Sequence, residues 1–292
     1  MEITSEQAID AVNSVFGRHD GFRALHAKGT LCKGTFTATP EAASLTRAAH
    51  MQGAEIPVTA RFSNGAGNPH HPDYRPDPRG LAVKFYLPDG SRTDIVSVTS
   101  PRFLTRTPEG FIEFMRAQKA PWKLPAFFVR HPESLKVLPA AAPSLRPPSS
   151  YAVVPYHGLH AFKWIGADGS ERYVRYTWRP QHGGGKRRRD RDYLQTELRE
   201  RLQGGPIRFT LEVQVAQPGD PVDDPSAAWP GSRRRVEVGT LEITGLETGR
   251  ETGGDVLVFD PTRVADGIEL SDDPVLRFRS AAYSASVARR TS

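Results

Sequence analysis

Residues 77–98 read Asp77-Pro78-Arg79-Gly80-Leu81-Ala82-Val83-Lys84-Phe85-Tyr86-Leu87-Pro88-Asp89-Gly90-Ser91-Arg92-Thr93-Asp94-Ile95-Val96-Ser97-Val98. Residues 81–87 and 93–98 are rich in β-branched or aromatic residues, and Asp89-Gly90 between them supplies a turn, so the stretch predicts an antiparallel hairpin. Asp-Pro-Arg-Gly at its head is a second turn, whose glycine allows close approach of the backbone to a neighbour. Similar strands are predicted upstream at 56–62 and downstream at 159–165 and 173–178, the last two joined through Gly166-Ala167-Asp168-Gly169. Ile207, Phe209, Leu211, Val213 and Val215 alternate strictly, the pattern of a half-buried strand, and 236–246 and 256–259 complete the set.

Helices flank these strands. Thr4 and Gln7 form a capping-box pattern before Ala8, Val12, Val15 and Phe16, predicting a helix over 4–16 that ends at Gly17. A second is predicted over 40–52, with Thr39 as N-cap, Pro40 at its first position and Gly53 at its stop. Thr107-Pro108-Glu109 opens one that runs to 119, Leu194, Leu198 and Leu202 mark one over 192–202, and 274–290 is Ala- and Arg-rich. Residues 120–150 are Pro-rich and read as short helical turns in a connector. Hairpin-linked strands with helices gathered towards the ends argue for an α+β fold built on an antiparallel sheet or barrel. We read residues 1–292 as one domain: a short helical segment within 1–20, the connector at 120–150 and a terminal helix at 274–290.

Composition narrows the function classes. The 292 residues carry 39 Lys and Arg against 33 Asp and Glu, a net charge of +6. The densest basic run, Lys186 to Arg189, follows three glycines and reads as a solvated loop, so no nucleic-acid partner is expected. Cys32 is the one cysteine, which excludes an intrachain disulfide and a cysteine-based zinc site. The N-terminus shows no apolar leader and no run of ~18 apolar residues occurs, so a cytoplasmic location without membrane insertion is expected.

Three constellations carry chemistry. Arg279 and Tyr283 are four apart on the last helix and share a face; a guanidinium beside a phenol favours the phenolate, a hard anionic ligand for ferric iron. Blandly, they are a packed tyrosine and a surface arginine. His26, within Arg23-Ala24-Leu25-His26-Ala27-Lys28-Gly29, can face a tight cavity and shuttle a proton, or be a hydrogen-bonded core histidine. Arg61-Phe62-Ser63-Asn64 ends a strand with an arginine able to clamp a carboxylate, and Asp77-Pro78-Arg79-Gly80 follows.

In this order, with Gly158-Leu159-His160-Ala161-Phe162-Lys163 and Phe259-Asp260-Pro261-Thr262 between them, these motifs resemble the heme catalases from about residue 21 to residue 290. The resemblance implies a heme-catalase-type antiparallel β-barrel with surrounding helices, truncated relative to the family. It implies a heme cofactor, expected to be heme b or a modified relative, and no Cys-x-x-Cys-His is present for covalent attachment. His26 would be the distal acid–base residue, Ser63 its hydrogen-bond partner and Tyr283 the proximal iron ligand held by Arg279. Arg23, Arg61 and Arg290 match propionate-binding positions, Phe103 and Phe111 match aromatics near the distal face, and Gly80 would allow close approach to the porphyrin.

Three departures bear on activity. Val98 stands where the family carries a distal Asn, and Thr99 compensates only if the backbone turns it inward. The histidine that the family places behind the proximal arginine is missing near 174–178. The chain also lacks the long N-terminal arm and the regions after the proximal helix that lock the family's tetramer, so a monomer or homodimer is expected. These point to a peroxidase that reduces hydrogen peroxide or an organic hydroperoxide with a small-molecule electron donor, with weak catalase activity. A compact true catalase, a fatty acid hydroperoxide lyase or allene oxide synthase-like enzyme, and a non-enzymatic heme-binding module are the alternatives. His70-His71 read as loop, His157 and His160 as strand residues, and Asp272-Asp273 as a turn.

Overall fold

A computed structural model describes residues 3–185, 188–248 and 257–291, without the side chains of 288–291. Its ten strands are β1 (Gly29–Ala38), β2 (Glu55–Asn64), β3 (Arg79–Tyr86), β4 (Arg92–Val98), β5 (Tyr156–His157), β6 (Phe162–Ile165), β7 (Glu171–Pro180), β8 (Ile207–Val215), β9 (Arg235–Leu246) and β10 (Ile268–Leu270). In spatial order β7, β5, β4, β3, β2, β1, β9 and β8 follow one another, and β8 pairs back onto β7 to close a barrel. β6 and β10 extend the sheet from β7.

Strand alternation separates the two faces of this barrel. Inside, Phe36, Phe62, Phe85, Trp178 and Phe209 are fully buried, and Phe36 meets Phe85 and Trp178 edge-on at 5.2 and 6.1 Å. Outside, β2 presents Arg61 and Ser63, the residues flanking Phe62. The sequence does not predict β1 as a full strand, because Gly29-Thr30-Leu31-Cys32-Lys33-Gly34 offers little apolar alternation. Its register slips between Lys33 and Gly34, where a Cβ on Gly34 would lie 2.1 Å from the Glu242 carbonyl oxygen.

The helices are α1 (Ser5–Phe16), α2 (Pro40–Leu45), α3 (Pro108–Lys119), α4 (Leu124–Arg130), α5 (Pro132–Ala141), α6 (Tyr193–Gly204) and α7 (Pro274–Thr291). The Thr4–Gln7 capping box forms in both directions at 3.2 Å. The helix expected over 40–52 stops at Leu45. Thr46 turns extended and fixes its hydroxyl on the Gly267 carbonyl at 2.8 Å, an alternative to the helical ladder that Ser and Thr commonly take. Only a short 3₁₀ turn, Ala49–Met51, follows.

Residues 120–150 do resolve into short helices, but these lie mid-chain and not towards its ends. Of the strand expected over 256–259, Val256 lies outside the described residues. Leu257 and Phe259 pack on the outer barrel face beside Leu31, Ala82 and Val96 and join no ladder. α1, α3 and α7 pack together through Ala8, Val12, Ile112, Met115 and Phe278. They form a helical layer that faces the outer side of β2–β4 across a cavity.

Candidate active site

The cavity has a volume of about 270 Å³, just under the roughly 300–1,000 Å³ usual for ligand pockets. Strand register builds its floor. Ser63, Gly80 and Val98 stand in one row across β2, β3 and β4, and Arg61, Ala82 and Val96 stand in the next. Gly80 and Ala82 stand in the middle of this floor, and the Ser63 hydroxyl and His26 ring fill the space over Gly80. A Cβ on Gly80 would lie 2.7 Å from Ser63 Oγ and 2.9 Å from His26 Nδ1.

His26 is the one non-glycine residue at positive φ, 55°, among the described residues. That conformation costs roughly 1–2 kcal/mol and marks residues held in place by their surroundings. Here its backbone N–H donates to the Gly65 carbonyl at 3.1 Å, and the Arg61 guanidinium donates to the His26 carbonyl at 3.0 Å. Gly29 makes room for that guanidinium, since a Cβ there would lie 2.4 Å from it. The ring's Nδ1 is 3.0 Å from Ser63 Oγ. Burial, reinforced by the positive charges of Arg61, Arg279 and Arg23, pushes the His26 pKa down to about 3. The imidazole is therefore neutral near pH 7 and keeps a lone pair.

Tyr283 and Arg279 enter from α7. Arg279 donates to the phenol oxygen from Nε at 3.1 Å and from Nη2. Its Nη1 lies 3.1 Å from His160 Nε2, and His160 Nδ1 lies 2.6 Å from Asp273 Oδ2. A guanidinium can only donate, so His160 Nε2 must accept and the ring proton sits on Nδ1, given to the carboxylate. The other oxygen of Asp273 accepts the backbone N–H groups of Val275 and Leu276 and caps α7.

This chain corrects three sequence expectations. His160 is a buried link to Arg279 and not an ordinary strand residue, so a histidine does stand behind the arginine, supplied from outside 174–178. Asp273 belongs to the same chain of hydrogen bonds and not to a simple turn. No local signal could reveal His160, which is 119 residues from Arg279; an Asp before Pro274 at the head of a helix was a readable cap. Thr99 turns away from the cavity, accepting from the Arg79 N–H at 3.0 Å and donating to the Ser144 carbonyl at 3.3 Å, so it does not compensate for Val98.

The cavity thus brings together Arg23, His26, Arg61, Ser63, Gly80, Val98, Phe103, Phe111, Arg279 and Tyr283. Arg23 donates to the Leu257 carbonyl at 2.8 Å, and the rings of Phe103 and Phe111 lie 5.3 Å apart. Arg290 lies on α7, but its side chain is outside the described residues. α1 also lines the cavity, through Ala8, Ile9 and Val12, which its helical periodicity alone did not reveal.

Comparison with known proteins gives a consistent result. A family model described as catalase matches residues 21–292. The chain is 51% identical to the catalase-related peroxidase of Mycolicibacterium paratuberculosis, over 99% of this chain and 95% of that protein. It is 38% identical to the catalase-related peroxidase of Synechococcus elongatus, over 99% and 89%. A fungal catalase of known structure superposes with a TM-score of 0.80 at 23% identity, covering 94% of this chain and 60% of that one.

Proposed function

The chain belongs to the catalase family, and within it we propose a heme-dependent peroxidase that reduces hydrogen peroxide or an organic hydroperoxide with electrons from a small external donor. The observation that carries this proposal is one cavity with a neutral, positioned imidazole on one wall and an arginine-held phenol on another. The residues fit heme. Gly80 makes room for the His26 ring and the Ser63 hydroxyl, the cavity between them and α7 would take a planar group, Tyr283 would ligate its iron, and Arg279 would hold the phenol oxygen. Arg23 and Arg61, joined by Arg290, would meet its carboxylates, with Phe103 and Phe111 at the rim. When bound, the heme iron supplies the redox centre that passes two electrons to the O–O bond.

His26 supplies the proton transfer. With Nδ1–H given to Ser63 Oγ, the Nε2 lone pair would take the proton of the hydroperoxide. Nε2 then returns that proton to the departing oxygen, which leaves as water or an alcohol. Two donor electrons and two protons balance each hydroperoxide reduced. Dismutation requires a second peroxide to be oriented and oxidised, and Val98 has no hydrogen bond to offer it, so oxygen release should be weak.

The test is donor oxidation by the heme-loaded protein, with oxygen release followed in parallel. Hydroperoxide-dependent oxidation of a phenolic donor should outpace oxygen release, and His26→Ala should lower it by about 10²–10⁴-fold. Absence of donor oxidation would overturn the proposal, and dominant oxygen release would identify a compact catalase.

A further inference from the structure

Among the described residues, seven large hydrophobic side chains are exposed, and five of them lie between 121 and 145. Trp122 and Val129 are 77% and 81% exposed on the outward side of α4 and the turn before it, while Phe127 on the opposite side is buried. Leu135 and Leu138 stand outward on α5, opposite buried Ser134 and Val137. Clustered exposed apolar residues of this kind mark an interaction surface.

The charge around them identifies the partner's chemistry. Residues 113–146 hold six Lys and Arg against two acids, Glu113 and Glu133, a net of +4 in a chain whose total is +6. Exposed Arg116, Lys119, Lys123 and Lys136 make no ion pair among the described residues, whereas Arg130 is held by Glu113. A second copy docked face to face would set these like charges against each other. Nucleic acid would satisfy the charges but offers nothing to Val129, Leu135 and Leu138. Tryptophan and aliphatic residues bordered by lysines suit the headgroup region of an anionic bilayer. No helix among the described residues is long and apolar enough to span one.

We propose that α4 and α5 form a docking surface for an anionic lipid bilayer, on which Trp122, Val129, Leu135 and Leu138 enter the headgroup region and the free lysines meet lipid phosphates. α3 joins this surface to the cavity, carrying Phe111 and Ile112 on the cavity wall and Arg116 and Lys119 at its exposed end. The assignment is independent of the catalytic one.

The test is co-sedimentation of the heme-loaded full chain with phosphatidylcholine vesicles, with and without phosphatidylglycerol. The protein should pellet with the anionic vesicles only and be released by salt. Emission from Trp122 should shift to the blue, the other three tryptophans being buried. W122S/V129S and K119E/K123E should each weaken binding by about tenfold or more while leaving donor oxidation in solution unchanged. Three results would overturn the proposal: no vesicle binding, full binding by W122S/V129S, or a dimer that W122S/V129S dissolves without any lipid affinity.

Discussion

His26 combines a strained backbone, a hydrogen bond to Ser63 and a neutral ring, and each can be disturbed separately. Gly80→Ala would drive a methyl into Ser63 Oγ and His26 Nδ1. It should lower the donor-oxidation rate at least tenfold, since the His26 ring and the Ser63 hydroxyl must shift to admit the methyl. Because the pKa of His26 is about 3, the rate should show no His26 inflection between about pH 7 and pH 5; one near the ordinary imidazole value would contradict that placement. Val98→Asn adds an amide over the floor and should raise the ratio of oxygen release to donor oxidation, measured on the same sample. At this scale much was legible in the sequence, because His26, Ser63, Arg279 and Tyr283 sit in motifs of recognisable order. His160 was not legible: its meaning depends on a contact that only the closed fold creates.

α7 shows how one element serves both stability and chemistry. Asp273 caps its first turn with one oxygen and holds His160 with the other. Asparagine caps helices about as well as aspartate, but it has one acceptor oxygen where Asp273 uses two, so Asp273→Asn keeps the cap only by turning its NH2 towards His160 and should cost about 1–3 kcal/mol. It removes the charge that fixes the His160 proton, and should shift the optical spectrum of the heme-loaded protein and slow donor oxidation. Equal activity with an unchanged spectrum would reduce Asp273 to a cap. The same contrast between local and distant signals separates the elements that the sequence revealed from those it hid. α1, α3 and β8 carry their own caps or alternation. β1 is held by neighbours on both edges despite its glycines, and the helix expected over 40–52 ends where Thr46 finds Gly267 far along the chain.

For the whole molecule, three buried histidines work against stability in acid, while Asp77, pushed up to about 6 by burial, works in its favour. Burial pushes His26 down to about 3 and His50 and His157 down to about 4, with nearby arginines adding to the effect at His26 and His157. Below the ordinary histidine value the unfolded chain binds protons that the folded chain refuses, so stability falls as pH drops from about 6.5 towards these lower values. His50 is fully buried against Phe85, and by pH 4 it alone should withdraw about 3 kcal/mol. Urea unfolding at about pH 7 and pH 4.5 should show the loss, and His50→Phe, if it packs, should recover part of it.

Tyr283 and the wall opposite it form the proposed heme site. It is tested most directly by the optical spectrum of heme-loaded wild type beside Tyr283→Phe. Wild type should bind one heme with a high-spin ferric spectrum, and the variant should lose the heme or show a displaced Soret band. Identical spectra from the two proteins, or no heme uptake by wild type, would contradict it.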